Sequence, residues 1–219
     1  GAALETAQNV DTVVFDKTGT VTRGRPEVTG LRAAKDGPFQ GEEGGREMLR
    51  LAACAESASE HPLADAVVRA AKAKGISVVP PASFVSTPGQ GIRATVDGRE
   101  VLAGNLSWLQ AEGVEPSALV PGTEEVAGEG GTPVCVAVDG KGAAVVAVED
   151  EVKESAPEAI RRLGEMGLAI FLLTGDNRRT AEAVARKAGL SRVIAEVLPD
   201  RKTKEIVRLR AEGREVAMV

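Results

Sequence analysis

The chain has 219 residues, a net charge of −5, 27% charged residues and 43% hydrophobic ones, an ordinary composition for a soluble globular protein of one large or two small domains. The acidic balance gives no reason to expect nucleic-acid binding, and no apolar run approaches the ~20 residues that span a bilayer. Aromatic residues make up 2%, with no Tyr and one Trp, Trp108, so the core must be built from Val, Leu, Ile and Ala. Cys54 and Cys135 sit in no CxxC and at no ligand spacing from the single histidine, His61, and read as buried free thiols.

Taken in chain order, Leu4-Glu5-Thr6-Ala7 predicts a helical or irregular lead. Val13-Val14-Phe15 predicts a buried strand of a parallel sheet, ending at Asp16-Lys17-Thr18-Gly19-Thr20. Val21–Gly24 and Pro26–Thr29 predict a loop and an extended segment leaving a first domain. Residues 35–45, rich in Gly, Pro and charge, predict a linker. Helices are expected over 47–57 and from Pro62 to near Gly75. Short β-rich runs follow at 76–79, 83–87, 92–96, 101–103, 134–138 and 143–148. Asp97-Gly98 and Asp139-Gly140 are hairpin signals and imply an antiparallel sheet. The Gly-, Glu- and Pro-rich segment 112–131 predicts a mobile loop. Beyond residue 149 the pattern alternates: a helix over 155–166 with Ser155 and Glu158 as a capping pair, a buried strand at 168–173, a helix at 178–188 closed by Gly189, a short strand at 193–194, a helix at 199–211 and a strand from Glu215. Such alternation implies a parallel sheet covered by helices. The fold class expected is therefore α/β, a Rossmann-like parallel-sheet domain of residues 1–30 and 149–219, with an inserted α+β domain of residues 31–148 built on an antiparallel sheet.

The pentapeptide begins at the carboxyl edge of the parallel sheet, where ligands of open α/β sheets bind. Asp16 can attack phosphorus and become an aspartyl phosphate. Lys17, Thr18 and the N–H groups of a turn opened by Gly19 suit a phosphoryl group. A second carboxylate two residues after the nucleophile would supply an acid and base. Thr18 stands there instead, and a hydroxyl does neither efficiently near neutral pH. The acyl phosphate should therefore form and persist.

VFDKTGT resembles the phosphorylation motif of P-type ATPases, within the haloacid-dehalogenase-like superfamily. The stretch from Gly1 to Thr20 resembles the entry to the phosphorylation domain in the heavy-metal (P1B) type, where it follows a membrane helix. That resemblance covers essentially the whole chain. It implies that Thr174, in Thr174-Gly175-Asp176-Asn177, binds phosphoryl oxygen and that Gly175, Asp176 and Asn177 touch nucleotide. Asp176 or Asn177 would also serve as the N-cap of the helix at 178. Lys202, in Leu198-Pro199-Asp200-Arg201-Lys202, matches the lysine that neutralises charge near the phosphorylated aspartate; by charge alone Arg201 and Lys204 are alternatives. Ser59-Glu60-His61-Pro62-Leu63 resembles the signature of the nucleotide-binding domain, with His61 contacting adenine and Glu56 reading its amino group. Gly89-Gln90-Gly91 and Gly104-Asn105 match family glycines and an asparagine that let adenosine approach the backbone. Asp150 resembles the aspartate where the chain re-enters the phosphorylation domain, though a surface acid reads the same way.

The resemblance implies ATP and Mg²⁺ as cofactors, with Asp16 and Thr18 as Mg²⁺ ligands. The GDGxND loop that carries the remaining ligand would begin after Val219. The TGE actuator motif and the membrane metal site are absent from the sequence. The chain is thus expected to bind ATP with little or no turnover, as cytoplasmic domains of an integral membrane pump whose actuator and transmembrane domains and transported ion lie elsewhere. Copper is the expected ion from flanking sequence, with zinc or cadmium as the alternative. Rival readings are a soluble phosphatase of the same superfamily, with 31–148 as its cap, and a non-catalytic nucleotide-binding module.

Overall fold

The structure, a computed structural model, describes residues 9–35 and 37–219; the lead expected at Leu4–Ala7 lies outside them. In chain order the elements are β1 (Thr12–Asp16), β2 (Glu27–Ala33), α1 (Gly41–Glu56), α2 (Pro62–Ala73), β3 (Ser83–Thr87), β4 (Gly91–Val96), β5 (Arg99–Gly104), α3 (Leu106–Ala111), α4 (Val120–Glu129), β6 (Thr132–Val138), β7 (Lys141–Glu149), α5 (Ala156–Glu165), β8 (Ala169–Leu173), α6 (Arg178–Ala188), β9 (Arg192–Ile194), α7 (Lys202–Ala211) and β10 (Val216–Met218). They form two compact units, one reaching to Arg25 and resuming at Asp150, the other Pro26–Glu149.

The first unit holds a parallel sheet in the order β10-β1-β8-β9. Consecutive residues of β1, Val13 and Val14, are both buried, because helices cover both faces. On one face α5 and α6 pack Ala156, Ile160, Val184 and Ala185 against Ile170, Leu172 and Val21. On the other, Ile206 and Leu209 of α7 pack against Val14, Leu173, Val197 and Val216. The alternation along β8 follows from the pleat, which sends successive side chains to opposite faces.

The second unit is an antiparallel sheet in the order β2-β7-β6-β5-β4-β3. Val134, Val136 and Val138 of β6 face α1 and α2. Cys135 and Ala137, between them, face the cluster of Trp108, Leu109 and Val126 from α3 and α4. Both Asp-Gly pairs are two-residue hairpins with left-handed backbone at each position, φ 50° and 76° at Asp97 and Gly98 and 51° and 77° at Asp139 and Gly140.

Five expectations are corrected. Segment 26–30, expected in the first domain, belongs to the second unit, because all of β2 pairs antiparallel with β7. The segment 112–131 is not one loop: Val120–Glu129 is helical, with Pro121 in its first turn and Gly130 at φ 91° closing it. Helix α1 starts at Gly41 rather than Glu47; Glu42 and Glu43 in its first turn complement the helix dipole. Residues 76–79 join no sheet, and Val79 instead donates its N–H to Cys54 Sγ at 3.4 Å. Ser155 makes no side-chain cap, and Glu158 pairs with Arg161 and Arg162.

Candidate active site and nucleotide site

Strands β1 and β8 run parallel with Asp16 opposite Leu173, so Asp16 and Thr174 emerge side by side at one sheet edge. Gly19, at φ 78°, turns the chain back just beyond. Asp16 Oδ1 accepts the Thr18 N–H at 3.3 Å. Its Oδ2 accepts Lys202 Nζ at 2.6 Å, although the two residues are 186 positions apart. Lys202 can reach because it opens α7 directly after the Pro199–Arg201 turn.

Lys17 points elsewhere. It is buried and forms an ion pair with Asp176. Asp176 Oδ2 also accepts the Thr174 hydroxyl at 3.0 Å, and Asp176 N–H donates to Thr174 Oγ1 at 3.1 Å. Asn177, not Asp176, caps α6, its Oδ1 accepting Thr180 N–H at 2.9 Å. The predicted catalytic residues thus fall into two adjacent groups: Asp16 with Lys202 and Thr18, and Lys17 and Thr174, which share Asp176, a residue expected to touch nucleotide. Gly175 lies between Thr174 and Asp176, and a Cβ there would meet Val197 O at 3.3 Å.

The turn is fastened from behind by residues 150–153. Asp150 Oδ1 accepts Arg25 N–H at 3.0 Å, and its Oδ2 accepts Gly24 N–H at 3.1 Å and the Thr22 hydroxyl at 2.5 Å. Asp150 therefore organises the backbone after the pentapeptide and is more than a surface acid. Lys153 Nζ donates to Gly19 O at 2.7 Å. Sequence reasoning passed over Lys153, since nothing local ties a helix-leading lysine to a glycine 134 residues away.

In the second unit, Glu56 is the last residue of α1 and is 8% exposed. Burial pushes its carboxyl up to about 7. His61 caps α2, its Nδ1 accepting Leu63 N–H at 3.2 Å. That bond assigns the neutral imidazole its proton on Nε2, which leaves a donor facing outward. Neighbouring protein strips water from the ring and lowers its pKa below the usual histidine value. Arg50, earlier on the same helix, ties α1 to the β4–β5 hairpin through Asp97 at 2.7 Å.

At the other end of the β4–β5 pair, Gly91 and Gly104 face each other in register. A Cβ on Gly104 would stand 2.4 Å from Gln90 O, and one on Gly91 would stand 2.5 Å from the Trp108 ring. Both glycines are therefore required by close packing, whatever else approaches them. Asn105 caps α3 through Trp108 N–H at 2.8 Å, and its Nδ2 reaches Gly89 O at 3.4 Å. Gly89, Gly91, Gly104 and Asn105 thus form one constellation, while Glu56 and His61 flank the α1–α2 junction.

Among the described residues, no group of three or more His, Cys, Asp or Glu could hold a metal ion. No described helix is long and apolar enough to cross a membrane.

The family model for haloacid dehalogenase-like hydrolases matches residues 10–219. The chain is 47% identical over its whole length to copper-transporting ATPase 2 of Rhizobium meliloti, covering 26% of that protein. It is 44% identical to a copper-exporting P-type ATPase of Bacillus subtilis, again over its whole length and covering 27% of that protein. The chain therefore spans about a quarter of these curated relatives. Among solved structures, a zinc-transporting PIB-type ATPase in the E2.Pi state aligns with 99% of this chain and 34% of its own, at TM-score 0.64 and 34% identity. The catalytic domain of the CPx-ATPase CopB-B aligns with all of this chain and 73% of its own, at TM-score 0.71, and at 23% identity supports the fold alone.

Proposed function

The chain belongs to the haloacid dehalogenase-like hydrolase family, and from that premise we propose that it is the nucleotide-binding and phosphorylation part of a heavy-metal-transporting P-type ATPase. Residues up to Arg25 with 150–219 act as the phosphorylation domain, and 26–149 as the nucleotide-binding domain. The observation that carries the reading is Asp16 at the sheet edge, bound to Lys202 at 2.6 Å, with Thr18 where a phosphatase acid would stand.

In this reading the unit holding Glu56 and His61 binds ATP. His61 offers its Nε2–H and Glu56 its carboxyl to the adenine edge, while Gly89, Gly91, Gly104 and Asn105 shape the backbone beside the nucleoside. Asp16 attacks the γ-phosphorus: a carboxylate O–P bond forms, the bond to the bridging oxygen breaks, and ADP leaves. Lys202 neutralises charge on Asp16 and on the incoming phosphoryl group. Thr174 turns its hydroxyl from Asp176 to a phosphoryl oxygen, and Lys17 holds Asp176 in place. Because Thr18 cannot act as a base, the aspartyl phosphate outlives the ADP and drives ion movement elsewhere in the protein.

The donor set suits Mg²⁺: an oxygen of the part-exposed Asp16 carboxylate and one of Thr18, hard ligands too few for an all-protein cage, as expected of a cation that also uses phosphates and water. When bound it supplies charge neutralisation for phosphoryl transfer. The transported ion, copper by analogy with the curated relatives, binds outside this chain, in the membrane part of the protein. The chain itself lies on the cytoplasmic side.

Calorimetric titration of the chain with ATP, with GTP as competitor, tests the nucleotide half of the proposal. ATP-selective binding weakened by His61→Ala is expected. No nucleotide binding by the folded wild-type chain overturns it and turns 26–149 into a cap of another kind.

A further inference from the structure

The backbone of the phosphorylation turn is held by a side chain outside every motif. Gly19 takes a left-handed conformation, φ 78°, and presents its carbonyl to Lys153 Nζ at 2.7 Å. Lys153 is half-buried, and among the described residues no carboxylate pairs with it. Its own N–H donates to Val21 O at 2.9 Å, so main chain and side chain grip the turn two residues apart. A Cβ on Gly24 would stand 3.1 Å from Gly19 Cα, so the turn is also backed by main chain on that side.

A trans peptide is planar, and its C=O and N–H point in opposite directions. Anchoring Gly19 O therefore fixes the direction of the Thr20 N–H, which points away from Lys153. A glycine at positive φ has little intrinsic preference against the flipped peptide. Without an anchor this plane is free to rotate, only three residues from Asp16. The Thr18 and Gly19 N–H groups are taken within the turn, by Asp16 Oδ1 and Thr22 Oγ1, each at 3.3 Å. We propose that Lys153 is a positioning residue for phosphoryl transfer: it locks the Gly19–Thr20 peptide so that the turn presents the Thr20 N–H, not a carbonyl oxygen, to the phosphoryl anion. The positive charge also lies on the turn itself, where it favours an anion nearby without touching substrate.

This inference rests on the proposed aspartyl-phosphate chemistry, so its test starts with the wild type. The full-length protein is phosphorylated with radiolabelled ATP, and phosphoenzyme formation is followed against ATP concentration for wild type, Lys153→Met and Lys153→Arg. Melting temperatures are recorded for all three. Lys153→Met should slow formation at saturating ATP about tenfold, leave half-saturating ATP within twofold, and be largely rescued by Lys153→Arg, whose guanidinium can also donate to the carbonyl. Wild-type rates in Lys153→Met, or a loss that follows melting temperature and is not rescued by Arg, overturn the positioning role. A wild type that forms no phosphoenzyme sinks the underlying functional reading instead, and this inference with it.

Discussion

Glu56 is a buried carboxyl held at about 7, against an ordinary value of 4.5, by desolvation. Its folded-state pKa is raised, so the native state binds the proton more tightly than the unfolded chain. Below pH 4.5 both states are protonated and Glu56 costs nothing. As pH climbs toward 7 the unfolded chain ionises first, and stability falls by up to about 1.4 kcal/mol per pH unit. Above pH 7 the full cost of burying the charge is in place, on the order of 3 kcal/mol over that interval. Glu56→Gln removes the titrating group. Its stability relative to wild type should therefore rise by roughly 3 kcal/mol between pH 4.5 and 8. A buried amide lacking a partner adds a constant penalty of about 1–3 kcal/mol, which shifts the curve without bending it. Denaturant unfolding followed by fluorescence of Trp108, the only tryptophan and a buried residue of the same unit, isolates this effect. A wild-type-minus-variant difference that stays flat from pH 4.5 to 8 refutes the argument that burial, uncompensated by a cation, governs Glu56.

Three further outcomes are expected. Gly104→Ala drives a methyl group into Gln90 O and Gly91, and should cost about 1–3 kcal/mol in the same fluorescence assay, with loss of the Trp108 emission position. Lys17→Met leaves the part-buried Asp176 without this ammonium and should destabilise the first unit by about 1–3 kcal/mol, while adding Asp176→Asn recovers much of that loss; additive effects in the double-mutant cycle would contradict direct pairing. Asp150→Ala frees two backbone N–H groups and the Thr22 hydroxyl, and should raise hydrogen exchange at Gly24 and Arg25 at least tenfold, with no change at the β4–β5 hairpin.

The place of Asp16 at a strand end was legible from the apolar run before it, whereas Thr174 and Lys202 stood out only because their short motifs resemble those of the P-type ATPases. Their partners were not legible. That Lys17 turns to Asp176 while Lys202 takes Asp16 depends on which ammonium the three-dimensional packing brings closest, and two neighbouring lysine-bearing motifs leave that open. Lys153 acts on Gly19 through a carbonyl, and carbonyls carry no sequence signal. Gly91 and Gly104 read as room for a nucleoside, yet the Trp108 ring already occupies the space their side chains would need. The alternating runs and the two Asp-Gly turns revealed the antiparallel sheet. Helix α4 was hidden because its glycines and glutamates suggested a loop, although Pro121 and Gly130 mark its two ends. The expected boundary at residue 30 cuts through the sheet's edge strand β2, because an extended segment carries no mark of which sheet it will join.

The central claim is that Asp16 becomes an aspartyl phosphate. The most direct measurement is acid-quench labelling of the full-length protein with γ-labelled ATP, comparing wild type with Asp16→Asn. The account predicts a label that survives acid, is released by hydroxylamine as an acyl phosphate must be, maps to the peptide containing Asp16, and is absent from Asp16→Asn. Label retained in Asp16→Asn, or ATP hydrolysis in wild type without any hydroxylamine-sensitive label, would contradict it.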